Sequence, residues 1–206
     1  MRNSLFDKVF LLSVLSILSS PVLAAEGDLF PAKSGSWWTY KTTDWKGKVG
    51  EIKYRLVGLK KEKNGDCSFK LVSNDAAEPK TKYYTKRGDK TYLTRIDVGG
   101  KSFSSNSFTP PKLVIDNKIR TGSIWQWNST NTDPGKPSER WQVFPIEKVK
   151  VPAGEFACLR IGGLMVGGPK VLYQSRMFCP NIGLVKSADS TGTEKTFEEL
   201  TSYHVK

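Results

Sequence analysis

Glu51-Ile-Lys-Tyr-Arg-Leu56 is the run on which the fold turns. Ile52, Tyr54 and Leu56 recur at every second position, with Glu51, Lys53 and Arg55 between them. Side chains along a strand alternate between two faces, so this run sets an apolar face against a core and a charged face in water. Upstream, Trp38, Tyr40 and Thr42 share one face. Downstream, Trp141 and Val143, then Val149 and Val151, keep the same period. Turn signals part the runs at Lys46-Gly-Lys-Val-Gly50, Asn64-Gly-Asp66, Arg87-Gly-Asp89, Gly99-Gly100, Asp133-Pro-Gly135 and Gly167-Gly-Pro169. No stretch beyond residue 35 repeats convincingly every 3.6 residues. Thr193–Leu200 fits a short helix less well than Thr196–Tyr203 fits a closing strand. The expected fold is all-β: an antiparallel barrel, half-barrel or sandwich of about ten to twelve strands.

The segment before these strands reads differently. Arg2 and Lys8 precede an apolar run from Val9 to Leu18, and Val22 and Ala24 occupy the small-residue positions of a cleavage site. That is the layout of a secretory signal peptide. Ten helical residues span about 15 Å, half of a roughly 30 Å hydrocarbon core, so a membrane span is not expected. Residues 1–24 are therefore expected to be removed, leaving a single β-rich domain over 25–206 in the periplasm or outside the cell. No Cys follows the cleavage site, and a lipid-anchored form is not expected.

Composition bounds the partners. Of 206 residues 38% are apolar and 25% charged, which excludes a wholly disordered chain and argues against a coiled coil or a polytopic membrane protein. Lys and Arg number 32 against 20 acids, a formal charge of +12. Loss of Arg2, Asp7 and Lys8 with the leader leaves 30 basic and 19 acidic residues, still strongly positive. Such a surplus favours anionic partners, a lipid headgroup or an acidic envelope polymer. The cations are scattered (Lys53, Lys60, Lys61, Lys63) rather than blocked together, so a nucleic-acid partner is not expected.

A shift of 87 positions aligns Gly35-Ser-Trp-Trp-Thr-Tyr40 with Gly122-Ser-Ile-Trp-Gln-Trp127. The same shift pairs Tyr54 with Trp141, Leu56 with Val143 and Phe69 with Phe156, always with strand parity kept. The expectation is two duplicated halves, 30–103 and 112–206, with a linker near Ser104–Pro111.

Phe30-Pro-Ala-Lys-Ser-Gly-Ser-Trp-Trp-Thr-Tyr40, Val151-Pro-Ala-Gly-Glu-Phe156 and Cys179-Pro-Asn-Ile-Gly-Leu-Val-Lys186 follow in that order. Together they resemble an uncharacterised family of exported bacterial β-rich proteins. That family opens on Gly-x-x-Trp-x-Tyr, turns at Val-Pro-Ala-Gly-x-Phe and closes near Pro-x-x-Gly-Leu-Val-Lys. Asn181 stands where the family usually has Gly, and Asn tolerates a left-handed backbone. The resemblance implies an envelope location and a fold loosely similar to the half-barrels of lipoprotein carriers. It implies no catalytic residues.

Three cysteines remain. Cys158 and Cys179 flank the Gly167-Gly168-Pro169 turn symmetrically, which sets them opposite one another in a hairpin and predicts a disulfide. Cys67 is left over, expected buried and reduced, and a bridge from Cys67 to one of the other two is the competing arrangement. His204 is the one His and sits three positions from the C-terminus, where chains usually fray, so a Ser–His–acid triad is not expected. Without a second His or a Cys-x-x-Cys, no metal or cofactor is expected either. Glu198 and Glu199 point to opposite faces of a strand.

Trp38, Trp125, Trp127 and Trp141 belong to the core by parity. Trp45, in Asp44-Trp-Lys-Gly-Lys48, stands at a hairpin tip, and Trp45, Lys46 and Lys48 form the candidate surface binding site. The functional expectation is a non-enzymatic envelope protein that binds or carries an apolar or amphiphilic ligand in a cavity of a few hundred Å³. An adhesion or scaffold module holding anionic glycan or a protein is the first alternative, and an exported hydrolase the second.

Overall fold

The structure is a computed structural model that describes residues 26–75, 78–100, 103–130, 137–167 and 170–206. The expected leader, the Asp133-Pro-Gly135 turn and Gly168-Pro169 lie outside the described residues. Twelve strands follow in order: β1 (Trp37–Thr43), β2 (Val49–Lys61), β3 (Cys67–Ser73), β4 (Lys80–Arg87), β5 (Lys90–Val98), β6 (Ser104–Asp116), β7 (Ile124–Asn128), β8 (Ser138–Val151), β9 (Gly154–Gly167), β10 (Lys170–Cys179), β11 (Gly183–Thr191) and β12 (Glu194–His204). No helix occurs among the described residues. All pairings are antiparallel, and the sheet order is β6-β5-β4-β3-β2-β1-β12-β11-β10-β9-β8-β7. Two six-stranded meanders thus join through β1 and β12, and the sheet curls until its edges β6 and β7 meet. The result is a nearly closed barrel.

The alternation of the opening run is the wall of this barrel. Ile52, Tyr54 and Leu56 are buried, and Lys53 and Arg55 face outward. The 87-residue shift recurs in the hydrogen-bonded register. Trp38 lies opposite Tyr54 and Trp125 opposite Trp141. A bulge interrupts β2 between Val57 and Lys60, and another interrupts β8 between Val143 and Ile146. Gly58, at φ 63°, and Pro145 occupy these irregular positions, where a ladder is already broken and either residue is tolerated.

The expected linker is not where the sequence placed it. Ser104–Pro111 is the first part of β6, and the connection between the meanders is 117–123. Pro110 and Pro111 lack an N–H, which bars them from a central strand but not from an edge. β6 is an edge, so its prolines cost no ladder bond on the open side.

The predicted hairpin register holds through β9 and β10, with Lys170 opposite Gly167 and Phe178 opposite Leu159. Cys158 and Cys179 are disulfide-bonded, with Cα atoms 4.2 Å apart. Closing their loop stabilises the fold by about 3 kcal/mol in the chain-entropy model. Cys67 is free but only half-buried, because it opens β3 beside a turn. Asn181 adopts φ 62°, the left-handed conformation the turn requires. His204 does not fray: it pairs with Trp37 in the β1·β12 ladder and stacks near the indole at 6.3 Å.

One end of the barrel is plugged by the segment ahead of β1. Leu29 is fully buried, and Phe30 packs on Tyr84 and Phe69 at 5.1 and 5.9 Å. Asp28 ties this plug down. Its carboxylate accepts from Lys86 Nζ (2.6 Å), Phe30 N (3.0 Å) and Asn117 Nδ2 (3.1 Å). Burial alone would raise the Asp28 pKa, but these donors together hold it below the ordinary carboxylate value.

Candidate ligand cavity

Side chains of every strand but β7, together with the plug, line a cavity of about 340 Å³. Its floor is Phe30 and Pro31. Trp38 and Tyr40 reach in from β1, held by hydrogen bonds to the β10–β11 corner: Trp38 Nε1 donates to Ile182 O (2.7 Å) and Tyr40 OH to Leu184 O (2.8 Å). Tyr54 lies edge-on to Tyr40 at 6.2 Å. Burial pushes the phenols of Tyr40 and Tyr54 well up and that of Tyr84 up to about 12, so all three stay neutral at physiological pH. Toward the opposite rim the lining passes to Leu93 and Ile96 on β5 and to Met165 and Leu172 on β9 and β10.

A missing side chain shapes the wall. A Cβ at Gly163 would sit 2.5 Å from ring atoms of Trp141, whose indole therefore lies flat against the β9 backbone. Trp125 stacks on that indole at 6.0 Å. On the outer face a Cβ at the neighbouring Gly162 would meet Phe144 at 2.8 Å. Two consecutive glycines thus admit one large ring on each side of the same strand.

Polar groups collect on one wall. Arg176 Nη1 binds Asp189 Oδ1 (2.6 Å) and the Ala188 carbonyl (3.2 Å). Ser187 Oγ donates to Glu198 Oε2 at 3.1 Å. Gln174 Nε2 reaches Asp189 Oδ1 at 3.5 Å, and its buried Oε1 accepts no bond within the described protein. Across the cavity Lys82 lies over Tyr54, its Nζ 4.7 Å from the ring centre. At the β6–β7 seam Lys112 pairs with Glu139, and Trp141 Nε1 donates to the other oxygen of the same carboxylate (3.1 Å). The Lys112 ammonium lies 4.2 Å from the Phe108 ring and 4.3 Å from that of Trp127. The interior is therefore an aromatic and aliphatic chamber with a hydrogen-bonding side, the composition of a small-molecule site.

The residues singled out from sequence fall elsewhere. Trp45, 55% exposed, caps the β1–β2 turn with Lys46 Nζ 4.7 Å from its ring. The amides of Lys46 and Lys48 both donate to Asp44 Oδ1, which fixes the turn. These three lie on the rim opposite the plug and do not line the cavity. Among the core tryptophans, Trp38 and Trp127 are buried, whereas Trp125 and Trp141 are half-buried. Glu198 points inward and Glu199 outward to Lys186, as strand alternation requires. Sequence reading missed Lys82, Arg176 and Gln174. The available signal was parity: Lys82 shares its face with Tyr84, and Gln174 and Arg176 share theirs with Phe178.

No family model and no curated protein sequence matches the chain. Two solved structures are similar. One is a candidate lipoprotein of Parabacteroides distasonis, 14% identical, aligned over 86% of this chain and 99% of its own, with a TM-score of 0.53. The other is a candidate exported protein of Bacteroides fragilis with a YmcC-like fold, also 14% identical, aligned over 85% and 98%, with a TM-score of 0.54. At that identity the likeness is one of fold.

Proposed function

We propose that the chain is an exported envelope protein whose barrel binds an amphiphilic molecule without transforming it. The observation that carries this reading is the 340 Å³ interior chamber, apolar and aromatic on most sides and polar along β10–β12. An apolar tail is accommodated by Trp141, Met165 and Leu172. A head with a hydrogen-bond donor meets Gln174 Oε1, and an anionic one meets Lys82. The leader-like residues 1–24 and the two exported or lipoprotein neighbours support an envelope location.

Native mass spectrometry of the protein recovered from the exported fraction tests this. A bound species above the polypeptide mass is expected, lost in Leu172→Trp, which fills the chamber. An empty protein that also fails to bind an apolar fluorescent probe saturably would overturn it. A second reading, capture of anionic glycan, rests on exposed Trp45 followed by Lys46 and Lys48 in the same turn. Glycan held there dissociates at high salt, whereas a cavity ligand does not.

A further inference from the structure

We propose that the outer face of the rim opposite the plug docks on an anionic phospholipid surface. Large apolar side chains gather there and face water. In one cross-strand row, Val49 of β2 and Phe197 of β12 flank Thr43. Two further pairs, Leu164 with Tyr173 and Val166 with Val171, continue the outer face along the β9–β10 hairpin. Tyr173 is 58% exposed, Val49 57% and Val166 42%, and Trp45 projects from the adjoining turn. On the other side of the rim Phe103 follows the β5–β6 turn, 72% exposed. At the plugged end the exposed apolar residues are Val57 on β2, Ile124 on β7 and Tyr203 on β12, the last edge-on to Phe156 at 6.1 Å, so they are spread over three strands.

The inner face needs none of these residues. Ile161, Met165, Leu172 and Gln174 turn inward on the same two strands, so their neighbours turn outward by alternation. Cations frame the band. Lys46 and Lys48 follow Trp45 in its turn, Arg140 lies opposite Leu164, and Lys195 lies opposite Ser190, itself the partner of Tyr173. Glu51 and Glu194 are exposed acids close by, within a chain that is positive as a whole. Trp and Tyr with a basic fringe match a headgroup boundary, where rings sit at the interface and lysines meet anionic lipid. Docking is independent of cavity occupancy, since an empty barrel presents the same rim.

Co-sedimentation of the exported form with vesicles decides it, using phosphatidylcholine alone and phosphatidylcholine with phosphatidylglycerol. Binding to the anionic vesicles is expected, with weak binding to the neutral ones and loss at high salt. Trp45→Ser with Val166→Ser and Val171→Ser is expected to lower the bound fraction at least about tenfold. Lys46→Glu with Lys48→Glu lies on an exposed turn that leaves the ladder intact, and each lost cation is expected to cost roughly fivefold. The proposal is overturned by variants that bind like the parent, by equal binding to both vesicle types, or by a patch-dependent dimer in sedimentation velocity. The last result would assign the band to a protein partner.

Discussion

The two meanders meet twice, and the two meetings are built differently. At one seam β1 and β12 share a backbone ladder from Trp37–His204 to Thr43–Phe197, broken only by a bulge after Thr39. At the other, β6 and β7 share no ladder, and the gap is spanned mainly by side chains. There Lys112 pairs with Glu139, Trp127 Nε1 donates to Pro110 O (2.7 Å), and Phe108 meets Trp127 edge-on at 5.9 Å. One backbone bond, Thr130 N to Thr109 O (2.8 Å), completes the contact. The first seam resembles the interior of any sheet. The second is a clasp whose strength lies in a few chemically distinct contacts, so it should open first in sub-global exchange.

The heaviest blow to the laddered seam is Trp38→Ala, which removes a buried ring and its bond to Ile182. A loss of about 4 kcal/mol is expected in urea unfolding. At the clasp, Lys112→Met leaves Glu139 buried without its cation, with an expected cost of about 2 kcal/mol given the residual exposure of the pair. Adding Glu139→Leu should recover part of that loss, because two apolar groups replace two paired charges while Trp141 Nε1 loses its acceptor. No recovery would show that packing, rather than pairing, holds the edges together. Trp127→Phe keeps the ring and deletes the bond to Pro110, an effect of about 1 kcal/mol. Amide exchange should separate the seams in this variant, with β7 protection falling while β1 protection stands.

The smallest expected effect sharpens the comparison through pH. Asp28 fastens the plug to Asn117, where the β6–β7 connection begins. Its carboxyl titrates lower in the fold than in the unfolded chain. The contribution is therefore fully present above about pH 4 and fades as pH falls through the depressed folded value. Asp28→Asn should lower Tm at pH 7, and the gap from the parent should close in acid. A gap that persists in acid would assign the plug's hold to Phe30 and Leu29 instead.

Local alternation made the strands legible, and two-sided symmetry about a turn made the disulfide legible. Both are properties of neighbours in sequence. The edge role of β6 was not legible, because a proline says only that no N–H is offered and not which strand lacks a neighbour. Lys112 and Glu139 are 27 positions apart and come together only when the sheet curls. The cavity was expected at a few hundred Å³, but which residues line it escaped for the same reason. Its apolar lining obeys the parity of any packed core, and whether opposed side chains touch or leave room depends on curvature. Trp45 was placed at a hairpin tip, with a ring folded back on the sheet as the competing arrangement, and it stands 55% exposed because a five-residue tip offers little to cover an indole.

Gly163 carries one more implication. By lacking a single carbon it lets an indole recline against the wall, and that posture sets the bore of the chamber. Putting alanine there would push the ring toward the lumen and narrow it. A lone position on β9 thus sets how wide the interior stands open.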